Sequence, residues 1–209
     1  MDITFDIPHA FSPGSPPEVE KDARRILHDY LARLNHAHEH NGIGPARYWI
    51  NGRCVVWSLP QYFNSDTSYV DNAYALSTLL DCLIELNLSY LKYGKGRIPR
   101  LYDSPVYYRR TQIWDTIPAL YERGHGDCKS LTAALVAEYM FSGRESAPVF
   151  RFIERPDNTG SLDFHILVQT DRGFEDPSKV KGMGKNEVAR IHGFGCDSMT
   201  QRIHGFKRT

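Results

Sequence analysis

Apolar side chains return every three or four positions early in the chain. Val19, Ala23, Ile26, Leu27, Tyr30, Leu31 and Leu34 share one stripe, the spacing of an amphipathic helix. Ser15-Pro16-Pro17-Glu18 precede the stripe and predict a capping box, with Ser15 as the cap and Pro16 at the first helical position. Asn41-Gly42 marks its end. The period then drops to two. Tyr48-Trp49-Ile50 and Arg53-Cys54-Val55-Val56-Trp57 flank Asn51-Gly52, which predicts a hairpin turning on that dipeptide. A second long helix is predicted from about residues 66–68 to Gly94. Val70, Ala73, Tyr74, Leu80, Leu83, Ile84, Asn87 and Leu91 form one face, and Leu76, Leu79, Leu86 and Leu88 widen it, so this helix is expected to be buried on most sides.

Prolines 99, 105 and 118 punctuate the next stretch. They leave room for a short strand at Val106–Arg109 and a short helix at Pro118–Arg123. After Gly124-His125-Gly126-Asp127 the helical period resumes with Leu131, Ala134, Leu135 and Glu138, and it runs to Gly143. Cys128 is thereby placed at a helix N-terminus. Val149–Glu154 and Leu162–Thr170 read as strands around a turn at 156–160. Asp171-Arg172-Gly173 turns the chain again into Phe174-Glu175-Asp176, which Pro177 stops. A helix followed by an antiparallel meander predicts an α+β fold. Arg190-Ile191-His192-Gly193-Phe194 recurs as Arg202 to Phe206, too few copies for a repeat architecture.

Composition narrows the classes. The 209 residues carry 25 basic and 25 acidic side chains, with 41% hydrophobic and 24% charged residues, as in ordinary globular domains. Zero formal charge removes the basic surplus that nucleic-acid backbones require, so no specific nucleic acid is expected, despite Tyr107-Tyr108-Arg109-Arg110. No apolar run reaches bilayer length, since Leu79–Leu91 contains Asp81 and Glu85, and no membrane partner is expected. The N-terminus predicts no secretory leader. The four cysteines, at 54, 82, 128 and 196, form no CxxC pair, which argues against disulfides and thiolate zinc. His36, His38 and His40 alternate, and His36 and His40 would share a helix face. With no fixed third ligand they read as solvated histidines. No metal and no cofactor are expected.

Three residues carry candidate chemistry. Cys128 stands at a helix start, where free N–H groups favour a thiolate and can hold an oxyanion. The glycines before it suggest close approach of backbone and substrate. His165 lies within a strand, out of phase with Phe164, Ile166 and Val168, and Asp176 ends the neighbouring strand. Nucleophile, base and orienting carboxylate thus follow in chain order, and a thiolate below neutral pH is the expectation. The same residues, taken singly, also suit a buried cysteine, a structural histidine and ordinary turn chemistry.

Gly126-Asp127-Cys128, the Leu/Ala-rich helix, His165 and Glu175-Asp176-Pro177-Ser178 resemble the transglutaminase-like superfamily of papain-like fold. Ile98-Pro99-Arg100-Leu101-Tyr102, Trp114-Asp115-Thr116-Ile117-Pro118 and the close at Gly182-Met183 resemble a compact branch of it often found in bacteriophage genomes. The resemblance covers residues 98–184. It departs at Lys129-Ser130, where relatives commonly carry acidic residues, and at Ile166-Leu167-Val168-Gln169, where they carry aromatics. It implies acyl transfer through a thioester on Cys128, with His165 and Asp176 completing a triad and a protein or peptide amide as substrate. Cys128 itself, Gln112 and Trp114 are the oxyanion-donor candidates.

The resemblance also implies a helix bearing the cysteine packed on an antiparallel sheet. Residues 98–184 would be the core and 185–209 a C-terminal extension. Residues 1–97 would be a helical and hairpin region, packed on the core or used as an interface. Synthesis in the host-cell cytoplasm and a place in the virion among other virion proteins follow from the same resemblance. The alternative is a neck, tail or head component using the fold as a non-catalytic scaffold.

Overall fold

The computed structural model describes residues 2–60, 68–94, 98–154 and 162–184. The turn at 156–160 and both copies of the Arg-Ile-His-Gly-Phe echo lie outside them.

A strand with little hydrophobic signature opens the chain. β1 (Asp2–Asp6) sits inside a four-stranded sheet of order β2-β3-β1-β5. The hairpin of β2 (Arg47–Asn51) and β3 (Cys54–Ser58) pairs antiparallel on one side, and β5 (Ile113–Asp115) pairs parallel on the other. Phe5 is fully buried there. Its ring stacks on Trp114, with centroids 5.4 Å apart and planes 13° apart. The hairpin turns one residue later than its dipeptide predicted. Asn51 pairs with Cys54, so Gly52 (φ 58°) and Arg53 form the turn. That register keeps Val55 and Trp57 in the core. It also delivers Arg53 to Asp6, with two hydrogen bonds of 2.7 Å.

The predicted capping box does not form. After the short α1 (Pro8–Phe11), Pro16 occupies the cap position of α2 (Pro17–His40) with extended backbone, while the Ser15 hydroxyl turns back to the Pro8 carbonyl at 3.4 Å. Two successive prolines leave an orphan N–H fewer for a cap to satisfy. Asn41 and Gly42 end the helix as expected. Near that end His36 and His40 share a face with rings 4.3 Å apart, while His38 is buried with Nδ1 3.2 Å from the Gly44 carbonyl.

The second long helix, α3 (Ser68–Tyr93), packs between α2 and α5 (Cys128–Phe141). Buried Asn87 on α3 accepts the Ile117 N–H at 2.7 Å, capping α4 (Ile117–Arg123) from outside. α5 is buried at every position from Cys128 to Ala137, which its small and apolar residues permit. It lies against an antiparallel meander of β7 (Ser146–Glu154), β8 (Leu162–Thr170) and β9 (Gly173–Glu175). The chain is α+β. β1 pairs with β5 and α3 packs on α5, so the N-terminal segment shares one hydrophobic core with the segment that carries Cys128.

A charged cluster fastens these parts. Arg123 bonds Asp115 through two nitrogens, at 3.0 and 3.1 Å, and Asp6 at 3.0 Å. Arg53 adds an ion pair with Glu122 at 2.7 Å. Asp6 is 3% exposed and Asp115 is 0% exposed. Burial pushes the Asp115 carboxyl up to about 6, against the pull of Arg123.

Candidate active site

The helix bearing Cys128 begins where two short strands meet. β4 (Tyr107–Tyr108) and β6 (His125–Gly126) pair in parallel, and α5 follows β6 after Asp127. The two glycines upstream have different local roles. Gly124 ends α4 in the left-handed region at φ 75°. A Cβ on Gly126 would come within 2.5 Å of Leu120 Cδ1. A side chain at Gly126 would displace the end of Leu120, so this glycine lets β6 lie close to α4.

Cys128 is 8% exposed. The backbone N–H groups of Lys129 and Ile166 favour the anionic form of its sulfur. Ile166 is the residue after His165, and its carbonyl accepts the Thr132 hydroxyl at 3.2 Å. The first turn of α5 is therefore stitched to β8 next to the histidine. β9 stops opposite Val168, which leaves the backbone of Ile166 free to meet α5.

His165 is 4% exposed. Its Nε2 lies 3.1 Å from Asp176 Oδ2. Asp176 follows β9 as the N-cap of α6 (Pro177–Val180), and its other oxygen accepts the Lys179 N–H at 3.1 Å. Burial works to raise the Asp176 pKa, but the His165 ring and the Lys179 amide outweigh it and hold the carboxyl below its ordinary range. Both faces of β8 are covered here. Ile166 and Val168 join the core on one side and Leu167 is 4% exposed on the other.

The surroundings of Cys128 work against the expected thiolate. Burial, then the neighbouring Asp127 carboxylate, push the Cys128 thiol up to about 12; Lys129 and the two amides oppose this and lose. The magnitudes explain the outcome. A helix terminus contributes about 0.3–1 kcal/mol, under one pKa unit, while full burial moves a group by about 3–5 units. The balance favours the protonated thiol.

The oxyanion candidates separate. Cys128 has its backbone N–H at the helix start. Trp114 is 3% exposed and belongs to the core against Phe5. Gln112 is exposed, on a segment tied to the helix start. Thr111 donates its N–H to Asp127 Oδ2 at 3.4 Å, and its carbonyl accepts from Lys129 Nζ at 2.6 Å. Lys129 also forms an ion pair with Asp127.

Several residues around the site carried no sequence signal of their own. Tyr139 and Tyr102 donate to Glu175 Oε2 at 2.7 and 3.2 Å, anchoring the end of β9 beside Asp176. Tyrosines three or four residues from a turn look ordinary in a chain with 12 of them. Among the described residues no group of three or more His, Cys, Asp or Glu side chains is arranged to hold a metal ion. No helix among them is long and apolar enough to cross a membrane. An open depression of about 350 Å³ lined by Met140, Gly143, Arg144, Glu145 and Ser146 lies at the end of α5 opposite Cys128. Comparison with family models, with curated proteins and with solved structures finds no match.

Proposed function

We propose that the chain is a thiol-dependent acyl-transfer protein of transglutaminase-like, papain-like type, acting on an amide of a protein or peptide. Cys128 is the nucleophile, His165 the base and acid, and Asp176 the orienting carboxylate. The observation that carries this reading is the 3.1 Å contact between His165 Nε2 and Asp176 Oδ2, on a strand whose next residue, Ile166, accepts the Thr132 hydroxyl of the helix that begins at Cys128.

With Nε2 given to Asp176, Nδ1 is the ring atom left to take a proton. Because the balance favours the protonated thiol, sulfur attacks the carbonyl carbon as its proton passes to His165. The carbonyl oxygen becomes an oxyanion and accepts the Cys128 backbone N–H, with Gln112 as the second donor candidate. The tetrahedral intermediate expels the amine, which takes the proton from the imidazolium and leaves a thioester. Water or a second amine then attacks the thioester, gives its proton to the imidazole, and frees the acyl product and the thiol. Asp176 stabilises the imidazolium in both halves.

A second reading is favoured by the burial of Cys128 and its raised pKa. In it the fold is a virion scaffold without catalysis, made in the host cytoplasm and built into a neck, tail or head. The experiment that divides the two incubates the protein with a mixture of peptide amides and follows its intact mass. Acyl transfer predicts an adduct on Cys128 that hydroxylamine removes as a hydroxamate, absent in Cys128→Ala and strongly reduced in His165→Ala. No adduct, no released amine and no native-state alkylation of Cys128 would leave the scaffold.

A further inference from the structure

Two imidazoles meet on the solvent side of α2, at its C-terminal end. His36 and His40 are both exposed, one helical turn apart. Their ring centroids lie 4.3 Å from each other with planes at 66°. His38, between them in sequence, faces the other way: it is 3% exposed and sits against the Gly44 carbonyl. His40 Nδ1 lies 2.8 Å from the His36 carbonyl. A carbonyl oxygen only accepts, so Nδ1 donates and the neutral ring keeps its lone pair on Nε2. A hydrogen bond of this kind, on the nitrogen away from the ion, is what orients a metal-binding imidazole. The surroundings suit a cation. α2 ends at His40, where the helix dipole is negative, and Glu39 adds an exposed carboxylate on the same turn. The guanidinium of Arg33 is drawn toward the other end of the helix, 4.6 Å from the centre of the Tyr30 ring.

We infer that His36 and His40 form a chelating site for a late first-row divalent cation of the Ni²⁺, Cu²⁺ and Zn²⁺ class. Each ring gives one nitrogen. Imidazole nitrogens hold such ions at about 2.0–2.1 Å, which sets two of them about 3.3 Å apart in a tetrahedral shell. Rings already in contact on one helix face reach that separation by side-chain rotation alone. Among the described residues no third His, Cys, Asp or Glu side chain joins them in a group that could hold a metal ion, so water fills the remaining positions. Nitrogen ligands also set the choice of ion, since Mg²⁺ and Ca²⁺ take oxygen. The site is separate from the thiol chemistry, because α3 stands between α2 and α5. A bound ion clips the last turn of α2, just before Asn41 and Gly42 lead the chain toward the β2–β3 hairpin. The chelate exists only while that turn is helical, so metal binding and stability of the fold are linked.

The test is titration of Ni²⁺ into the full, untagged chain in a non-chelating buffer at about pH 7.5, where imidazole is neutral, followed by isothermal titration calorimetry. One ion per chain is expected, bound more tightly when Cu²⁺ replaces Ni²⁺. His36→Gln and His40→Gln are each expected to weaken binding by about 100-fold, because a single imidazole remains and the chelate is lost. Both positions are exposed and glutamine is a good helix former, so both variants keep the fold, which circular dichroism checks. His28→Gln, at an exposed histidine two turns earlier on α2, should bind as the wild type does. Thermal unfolding gives a second readout. Ni²⁺ should raise the wild-type midpoint in a concentration-dependent way and leave the His36 and His40 variants where they were. A wild type that takes up no Ni²⁺ at millimolar concentration overturns the inference. So does binding that both variants retain, the result expected if the half-buried Cys54 thiol were the ligand. Binding lost in one variant alone overturns it too, since the ion would then lie between that histidine and another group.

Discussion

One carboxylate of Asp176 performs two tasks at once: Oδ2 holds the His165 ring at 3.1 Å and Oδ1 caps α6 through the Lys179 N–H at 3.1 Å. The cap restrains the carboxylate before the histidine uses it, so the orientation of the ring costs little further side-chain entropy.

Asp176→Asn keeps the cap oxygen and loses the anion. Asp176 has a depressed pKa in the folded protein, so its contribution is fully present above the unfolded carboxylate value of about 3.9 and is lost as pH falls through the lower folded value. The variant is expected to be about 1–2 kcal/mol less stable at neutral pH. Its urea midpoint should converge on the wild type in acid. A difference that persists unchanged to the lowest pH would place the loss in packing instead.

Arg123→Met removes the cation that Asp6 and Asp115 share. Arg53 still pairs with Asp6, so the stranded group is Asp115, which is fully buried. The expected loss is about 3–5 kcal/mol at neutral pH. It should shrink as the medium is acidified, because an unpaired buried carboxyl takes up a proton. Adding Asp115→Asn should restore part of the stability, and chemical denaturation of the single and double variants measures this.

The order of elements from α5 to β9 was legible because local rules decide it. Gly124 closes α4 before the helix and Gly143 follows its end, alternation marks β8, and Pro177 stops β9. The site's charge state was not legible, because it depends on how deeply α5 is buried between α3 and the meander. β1 was missed for a related reason. Ile3 and Phe5 gain their meaning only from Trp57 and Trp114, strands that arrive from far along the chain. Ser15 misled because a local capping pattern competed with two prolines and lost. The Asp127–Lys129–Thr111 contacts are tertiary throughout, and only the oddity of a lysine after the cysteine pointed to them.

Trp114→Ala separates core from catalysis. The indole stacks on Phe5 inside the sheet, so truncation is expected to cost about 3–5 kcal/mol, read as a lower urea midpoint. Trp114→Phe keeps most of the stacked surface and should recover much of that loss. Were Trp114 an oxyanion donor instead, the phenylalanine variant would retain stability and lose acyl transfer.

Glu138 gives the protein a pH dependence that the site does not share. It sits on α5, where Oε1 accepts the Leu101 N–H at 2.8 Å and the Tyr121 hydroxyl at 3.3 Å. Burial pushes its carboxyl up to about 7, and those hydrogen bonds offset only part of the rise. A raised acid binds a proton in the folded state that the unfolded chain has already released. Stability therefore falls as pH rises from the unfolded glutamate value, about 4.3, through the folded value near 7. Glu138→Gln keeps an acceptor for Leu101 and cannot ionise, so its stability should be flatter across that window. The two proteins should match near pH 5, and the variant should exceed the wild type by about 1–3 kcal/mol near pH 8. Asp115, raised to about 6 by burial, adds a slope of the same sign to both proteins and cancels in the difference. Equal slopes in the two proteins would mean that Glu138 ionises freely, with water reaching the contact between α5 and Leu101.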